Sequence, residues 1–276
     1  MNGEKKKKSI VLFIVLVAVL FVGIILTEPM DKGETLKESM RDVVMHESNK
    51  VSLFGLIDVN PGLISAYVVT AILFVFSLIV RIAVIPKFKY VPGKFQMMLE
   101  QAVGLFRKKA EDNSPTRNNF LGAYIFMAGV YIFVGTLFEL FGFQVITTTG
   151  RSVSLPAPLA DMNGAICMAC LSYGVIMSGG IAGNKGKGIL YTLKEYSLPI
   201  SMSFRLFGAL LSGALVTELV YSTPTLSIGL PVLVGVLFTL LHALIQAYVL
   251  TMLTSVYYGQ VTVTPAKKEK KKRRNR

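Results

Sequence analysis

Six long apolar stretches, separated by short polar or charged segments, account for most of this chain. They cover residues 10–26, 61–85, 120–143, 163–182, 197–221 and 231–258. An apolar stretch of about 17–25 residues is long enough to cross the hydrocarbon core of a membrane as a helix. The pattern therefore predicts an all-α, polytopic membrane protein with about six transmembrane helices.

The segment between the second and third stretches, residues 87–119, is rich in lysine and arginine. Its apolar residues recur at helical spacing, which predicts an amphipathic helix on the membrane surface. They are Phe95, Met98, Leu99, Ala102, Val103, Leu105 and Phe106. Residues 184–194 carry three lysines, and we expect them to form a second loop on the same side of the membrane.

The net charge of +13 is concentrated at the two ends of the chain. Residues 4–8 hold four lysines and one glutamate, and residues 267–276 hold eight basic residues and one glutamate. Basic residues next to spans remain in the cytoplasm, so both termini should be cytoplasmic and residues 28–60 outside. Such tails also attract anionic lipid headgroups. We therefore expect membrane lipids, and not nucleic acid, as a partner.

Residues 1–27 have two interpretations. A basic start before an apolar core is typical of a secretory signal, but no clear A-x-A cleavage site follows, which favours a retained signal-anchor. On this interpretation, residues 1–60 form an anchor helix and an outer segment. Residues 61–264 form the membrane domain, and residues 265–276 form a basic cytoplasmic tail.

The chain offers little material for cofactor or metal chemistry. Cys167 and Cys170 form a C-x-x-C motif inside an apolar stretch, where the accessible thiolate that redox chemistry needs is disfavoured. His46 and His242 are the only histidines, too few and too far apart for a zinc site. A G-x-x-x-x-G-K-[ST] phosphate loop is absent from the sequence. We expect no cofactor, no metal and no catalytic site of its own.

One arginine, Arg205, lies inside the fifth apolar stretch. An unpaired guanidinium at the centre of a membrane helix costs about 2.5–3.5 kcal/mol on insertion scales, so such a residue usually faces water or a carboxylate. At about 100° per residue, the small residues Ser201, Gly208 and Ser212 share its helix face. On the sixth stretch, one face carries Thr239, His242, Gln246, Leu253 and Tyr257. If the last two helices form an antiparallel hairpin, the Gln246 amide oxygen lies at the depth of Arg205 and can accept its hydrogen bond.

The residues around Arg205 carry a family resemblance. Residues 197–216, SLPISMSFRLFGALLSGALV, resemble a signature of subunit a of the rotary F-type ATP synthases. Gln246, within HALIQAYVLTMLTSVYYGQV, matches the family's glutamine, and residues 155–163, LPAPLADMN, resemble the start of its preceding span. The similarity extends over residues 61–264 in order and spacing.

This resemblance implies an ion-translocating stator subunit in the cell membrane. Its two half-channels load and unload carboxylates on a ring of c subunits, with H⁺ or Na⁺ as the ion, and Arg205 separates inlet from outlet. The implied partners are the c ring, the peripheral-stalk b subunits and the rest of the ATP synthase complex. The alternative is a secondary transporter that binds solute at Arg205 and Glu218. A membrane scaffold with an incidental arginine is the third class.

The chain departs from the family pattern at three positions. Ala209 stands where the family usually has asparagine, Ala214 where it often has an ionisable residue, and Thr239 where it often has histidine or glutamate. Glu218 and His242 lie one turn after the last two of these positions. In antiparallel helices both shifts move the groups apart, so we expect two separate stations on the ion path.

Three further polar residues are candidates for the inlet. Glu139 lies near the outer end of the third span, and Asp161 and Asn163 lie at the start of the fourth. Asp161 also suits a simple helix N-cap. Glu195 precedes the fifth span, where it either marks the exit path or lies at a solvated helix start.

Overall fold

The computed structural model describes residues 51–53, 57–114, 118–146, 152–222 and 230–263. The predicted anchor helix and both basic tails lie outside these residues. Within the described part, the chain is mostly helical. Its helices are α1 (Pro61–Ile79), α2 (Lys94–Asn113), α3 (Asn118–Phe138), α4 (Met162–Asn184), α5 (Gly186–Leu193), α6 (Ser197–Ser222) and α7 (Leu230–Thr262).

Five helical segments of the described chain are long and apolar enough to cross a membrane. They are Pro61–Lys87, Asn118–Phe141, Met162–Asn184, Ser197–Thr217 and Gly235–Thr262. Each coincides with one of the predicted apolar stretches, so the prediction of a helical multi-pass membrane protein is confirmed for these five. The predicted amphipathic helix is also present, as α2.

Two features differ from the sequence prediction. Four short strands form two antiparallel pairs, β1 (Val51–Leu53) with β2 (Ile57–Val59) and β3 (Gln144–Ile146) with β4 (Ser152–Ser154). Three residues are too few for a recognisable alternating pattern. A helix, α5, also occupies the expected loop after α4. Its lysine and glycine content is typical of a loop, but contacts with α4 stabilise it.

The junction between α4 and α5 explains this second difference. Lys185 adopts a left-handed φ of 52°, which ends α4 and reverses the chain. Gly188 on α5 then contacts the backbone of Gly180 so closely that a methyl group on either would clash. The Tyr173 hydroxyl donates a 2.9 Å hydrogen bond to the Thr192 carbonyl. These contacts hold α5 along α4.

The first span changes its winding near its end. Pro61 opens α1 and the Asn60 side chain accepts a 3.0 Å hydrogen bond from Gly62 N. After α1, a π-helical turn covers Val80–Val84 and a 3-10 turn covers Ile85–Lys87. Pro86 has no N–H to continue an α-helical ladder, so the span ends there.

The core lies where α4 packs against both α6 and α7, and where α3 packs against α7. Helix α2 covers the first half of α3 and also contacts α7, whereas α1 packs mainly on α3. The buried side chains of this core include Leu121, Ile125, Ala128 and Ile132 on α3, Met168, Ala169 and Ile176 on α4, Leu198, Met202, Leu206 and Leu210 on α6, and Leu250, Tyr258 and Val261 on α7.

Glycines bring α4 against α7. Gly179 lies against the Tyr258 ring, and Gly183 lies against the Thr262 carbonyl. From the first contact to the second, both helices advance by four residues in the same direction, so they run parallel. The Asn184 side-chain amide donates a 2.7 Å hydrogen bond to the Val261 carbonyl. Small residues of this kind allow membrane helices to approach closely.

Helix α2 is fixed to α3 and α7 by a second set of close contacts. Gly259 faces the carbonyl of Asn113, and the Ser255 hydroxyl donates a 3.2 Å hydrogen bond to the Lys109 carbonyl. Gly129 in mid-α3 lies close to the ring of Phe106 and the methyl group of Thr251. The end of α2, just before α3 begins, thus lies near residue 259 of α7, and the middle of α3 lies near residue 251. Helix α3 therefore runs antiparallel to α7.

Hydroxyl side chains on the spans mostly donate back to their own helix. Those that donate to a carbonyl three or four residues earlier are Ser65, Thr70, Thr136, Ser172, Ser178, Ser203, Ser212, Thr217, Thr251, Thr254 and Thr262. Tyr124 and Ser172 are 2.8 Å apart. Because the single Ser172 hydrogen is given to Met168, the Tyr124 hydroxyl is the donor between them.

Gly183→Ala should destabilise the folded subunit, because the added methyl meets backbone at Thr262 that cannot move aside. The expected loss is about 1–3 kcal/mol, as for other overpacked sites. Gly174→Ala on the same helix is the control, since nothing lies within 4 Å of its added Cβ. Thermal aggregation of the detergent-solubilised protein measures both. Equal midpoints for the two variants would contradict the α4–α7 contact.

Candidate functional site

Arg205 lies on the exposed face of α6. Four leucine and methionine positions spaced by four residues bury the opposite face of the helix: Leu198, Met202, Leu206 and Leu210. Ser201, Gly208 and Ser212 are exposed beside Arg205, so the face predicted from helical spacing is the one turned away from the core. Within the described part of the chain, Arg205 makes no ion pair or hydrogen bond.

The exposed face around Arg205 carries small side chains, and the space in front of its glycines is empty of described residues. A Cβ added at Gly208 or at Gly213 would meet no atom within 4 Å. This differs from Gly179 and Gly183, which are filled by contacts with α7. The glycines of α6 are therefore not used for packing among the described residues, and the face is available to another helix.

Gln246 lies on the buried side of α7, and only 6% of its surface is exposed. Its Oε1 atom is buried and has no hydrogen-bond partner among the described residues. The predicted hydrogen bond from Arg205 is thus not formed in this structure. Leaving a buried acceptor unpaired costs about 1–3 kcal/mol, so this oxygen is a place where water or a partner group would be stabilised.

His242 lies one turn before Gln246 on the same side of α7, and its side chain is half-buried. Its Nδ1 is 2.9 Å from the Phe238 carbonyl, and the two rings stack with centroids 5.7 Å apart. A carbonyl only accepts hydrogen bonds, so Nδ1 carries the hydrogen. In the neutral ring, Nε2 is then an acceptor. The backbone of α7 thereby fixes the orientation of this imidazole.

Asp161 is the N-cap of α4. Its carboxylate accepts a 3.2 Å hydrogen bond from Asn163 N, which is the structural role that the sequence also allowed. The Asp161 Cβ lies 3.0 Å from where a Cβ on Gly62 would be, so the start of α4 meets the start of α1. The Asn163 side chain is exposed.

Glu139 is half-buried in a 3-10 turn, Glu139–Phe141, that follows α3 and contacts α7. The antiparallel register that pairs Gly129 with Thr251 extrapolates to place Glu139 beside the turn of His242. The parallel register that pairs Gly179 with Tyr258 extrapolates to place Asn163 at the same level. By this extrapolation, the three predicted residues lie at a similar depth near one end of the bundle.

Two other candidates are less informative. Glu218 lies within α6, but its side chain is outside the described part of the structure, so its position stays a prediction. Glu195 lies in the turn before α6, where its carbonyl accepts a 3.0 Å hydrogen bond from Leu198 N. That bond is the ordinary start of a helix.

Cys167 and Cys170 are free and exposed on the outer face of α4. They line a shallow apolar groove of about 460 Å³ with Phe120, Leu171, Gly174, Val175 and Ser178. The described residues contain no group of histidine, cysteine or carboxylate side chains that could hold a metal ion.

The structure brings a further cation, which the sequence pattern did not single out, to this region. Lys109 Nζ lies 3.9 Å from the centroid of the Tyr248 ring, two residues beyond Gln246 on α7. In the sequence, Lys109 is only one of the basic residues of the segment 87–119. Its spacing of three residues after Phe106, on the apolar stripe of α2, was the available signal that it points toward the bundle and not into solvent.

The fold and the site define a class: a multi-pass helical membrane protein with a lone arginine on an open face of a span. The family model of the ATP synthase A chain matches residues 63–259. The chain therefore belongs to the ATP synthase subunit a family, as its Arg205 and Gln246 motifs suggested, and it is a component of the membrane sector of that complex.

Curated relatives agree with this assignment. ATP synthase subunit a of Acidothermus cellulolyticus is 27% identical over 190 residues, which is 63% of this chain and 67% of the relative. Subunit a of Cereibacter sphaeroides is 24% identical over 179 residues, covering 60% of this chain and 69% of its own. Subunit a of Actinobacillus pleuropneumoniae is 26% identical over 219 residues, covering 67% and 81%.

Gln246→Leu should leave the stability of the subunit unchanged or slightly higher, because it removes a buried acceptor that has no partner. Ion-coupled ATP synthesis by the assembled complex should nevertheless fall. Gln260→Leu, at an exposed position of the same helix, is the control and should affect neither property. Thermal melting in detergent and ATP synthesis in membranes are the measurements. A Gln246→Leu protein that melts earlier but synthesises ATP normally would assign Gln246 to packing.

Proposed function

We propose that this chain is the ion-translocating stator subunit of an ATP synthase, with two half-channels that load and unload carboxylates on a ring of c subunits. The observation that carries the proposal is Arg205, a cation with no partner among the described residues, on an exposed, small-residue face of a membrane span. Membership of the subunit a family supports it. On this proposal, the nucleotide chemistry takes place in other subunits of the complex.

The chemistry of arginine suits a fixed gate between the two half-channels. Its guanidinium keeps its proton at any working pH. An adjacent cation favours the ionised form of a carboxylate, so a ring carboxylate that reaches Arg205 gives up its H⁺ or Na⁺. The ion cannot pass the arginine directly and has to travel with the ring. Arg205 thereby separates inlet from outlet.

The ring would dock on the faces of α6 and α7 that point away from α4. Because α4 packs against both helices, those two faces form one surface. On α6 this surface holds Arg205 and the open glycine Gly208, which lets a ring helix approach closely. On α7 it holds exposed apolar side chains: Leu237, Leu241, Leu244, Ile245 and Tyr248. The peripheral-stalk b subunits and the rest of the complex would bind elsewhere.

The inlet would open at the end of the bundle where Glu139, Asn163 and His242 lie at a similar depth. Asp161 caps the helix that begins there and adds negative charge. His242 and the unpaired Gln246 oxygen continue the polar path toward Arg205. Glu218 would stand at the outer mouth, one turn beyond the position where the family often has an ionisable residue.

The topology we propose has six spans in a bacterial cell membrane. The anchor helix within residues 10–26 precedes the five described spans, and α6 and α7 form an antiparallel hairpin. Lysines and arginines between α1 and α3, and between α4 and α6, mark the cytoplasmic side. Both termini would then be cytoplasmic, and the membrane domain would cover residues 61–264.

Arg205→Ala should abolish ATP synthesis coupled to ion flow, because an unloaded ring carboxylate then has no cation at the interface. Arg205→Lys keeps the charge but not the planar fork, and should retain only a small fraction of the rate. Arg107→Ala is the control, since Arg107 forms an exposed surface pair with Glu111. Synthesis rates are measured in membranes, with co-purification of the c ring as the check on assembly. Wild-type synthesis by the Arg205→Ala complex would disprove the stator function.

His242→Ala and Glu139→Gln should each slow passive ion flux through membranes from which the catalytic head has been removed. The expected decrease is about tenfold or more, as for loss of a group that takes part in proton transfer. The ion flux that enters from the outer side should fall more than the flux that enters from the cytoplasmic side. Glu111→Gln, which removes an exposed carboxylate on α2, is the matched control. Unchanged flux in both directions would remove the tested residue from the inlet.

A further inference from the structure

Three consecutive cations on α2 have different surroundings. Arg107 pairs with Glu111 at 3.0 Å on the surface, and Lys108 is exposed. Lys109 is half-buried and its ammonium lies over the face of Tyr248 on α7. A cation within about 6 Å of a ring centroid is attracted by the ring's negative face. Only Lys109 of these three therefore directs its charge toward the membrane domain.

The backbone around Lys109 is held on α7 independently of the ring contact. The Lys109 carbonyl accepts hydrogen bonds from the Ser255 hydroxyl at 3.2 Å and from the Asn113 amide at 2.9 Å. Gly259 admits the end of α2 by close contact with the Asn113 carbonyl. The backbone from which the Lys109 side chain extends is consequently fixed on α7, and the ring of Tyr248 positions its ammonium.

Tyr248 lies at the edge of the proposed ring-binding surface. It is 58% exposed and shares the outer face of α7 with Leu241, Leu244 and Ile245. It follows the level of Gln246 in the direction of α2, which is the proposed cytoplasmic side. Lys109 thus places positive charge beside this surface, between Gln246 and the cytoplasm.

The remaining groups near Lys109 do not neutralise it. Burial lowers the pKa of Lys109 from its usual value, whereas the ring face attracts the charged form. None of the salt bridges among the described residues involves Lys109. Charged or titratable groups near it on the helices packed around it include Arg107, Lys108, Glu111 and Asp112 on α2, Tyr124 on α3, and Tyr248 and Tyr257 on α7. The two carboxylates among them are exposed, and Glu111 is already paired with Arg107.

We propose that Lys109, held by Tyr248, is a second fixed cation of the stator that lowers the affinity of ring carboxylates for ions arriving from the cytoplasm. The inference rests on the proposed function and adds a positioning residue to it. A nearby positive charge stabilises an ionised carboxylate relative to its loaded form. Ions would therefore leave more readily into the cytoplasm during synthesis and return less readily from it.

The test compares Lys109→Gln with Lys108→Gln and Lys109→Arg in the complete ATP synthase reconstituted in liposomes. ATP synthesis is driven at a fixed membrane potential, while the proton and then the sodium concentration is varied on the side of the catalytic head. Lys109→Gln should lower the half-inhibitory concentration of the coupling ion about three- to tenfold, as expected for loss of one partly screened unit charge near the ring carboxylate. The other two variants should match the wild type.

Several outcomes would overturn the proposal. A shift that is the same for Lys109→Gln and Lys108→Gln would show that general surface charge is responsible. A lower maximal rate without a shift would show a purely structural role. If Lys109→Gln fails to assemble, Tyr248→Leu replaces it, because that variant keeps the lysine and removes the ring that positions it; absence of a shift there would be equally decisive against the proposal.

The Arg205→Ala complex, measured in the same liposomes, separates the two proposals. If Arg205→Ala abolishes coupling and Lys109→Gln gives no shift, the stator function stands and the second cation does not. If Arg205→Ala still couples ion flow to synthesis, the proposed function fails whatever the lysine variants show.

Discussion

A charged guanidinium is costly to leave unpaired in hydrocarbon, and the exposed face of α6 is best understood from that constraint. Arg205 has no partner among the described residues, yet it lies on a span that is otherwise well packed against α4. The subunit therefore presents a surface that is complete only when a carboxylate or water lies against it. The small residues beside Arg205 are consistent with this, since large side chains would keep any partner away from the charge.

The remaining helices provide a rigid support for this surface. Lipid tails are as apolar as leucine side chains, so helices in a membrane associate through close packing and not through the hydrophobic effect. The structure meets this requirement with glycine contacts on α4, where Gly179 and Gly183 admit α7, and with Gly259, which admits the end of α2. As α7 takes part in most of these contacts, the position of Gln246 and His242 is set by backbone packing.

Much of this arrangement could be predicted from the sequence because membrane spans are defined by composition over long windows. The same holds for the exposed face of α6, which follows from helical periodicity alone, and for the N-cap at Asp161. Features that depend on contacts between distant segments could not be predicted. Helix α5 exists because Gly180 and Gly188 meet, and the Lys109–Tyr248 pair depends on how α2 docks. The missing partner of Gln246 is visible only once its surroundings are known.

The hydroxyl groups of the spans have a consequence for where protons can move. A hydroxyl whose single hydrogen is already given to a carbonyl of its own helix still has free lone pairs, but it has no hydrogen to hand onward. Thr136, Thr251 and Thr254 are in this state, and the Tyr124–Ser172 contact ends in the same way at Met168. These side chains make the helix interfaces polar without linking them into a chain of hydrogen bonds that crosses the bundle.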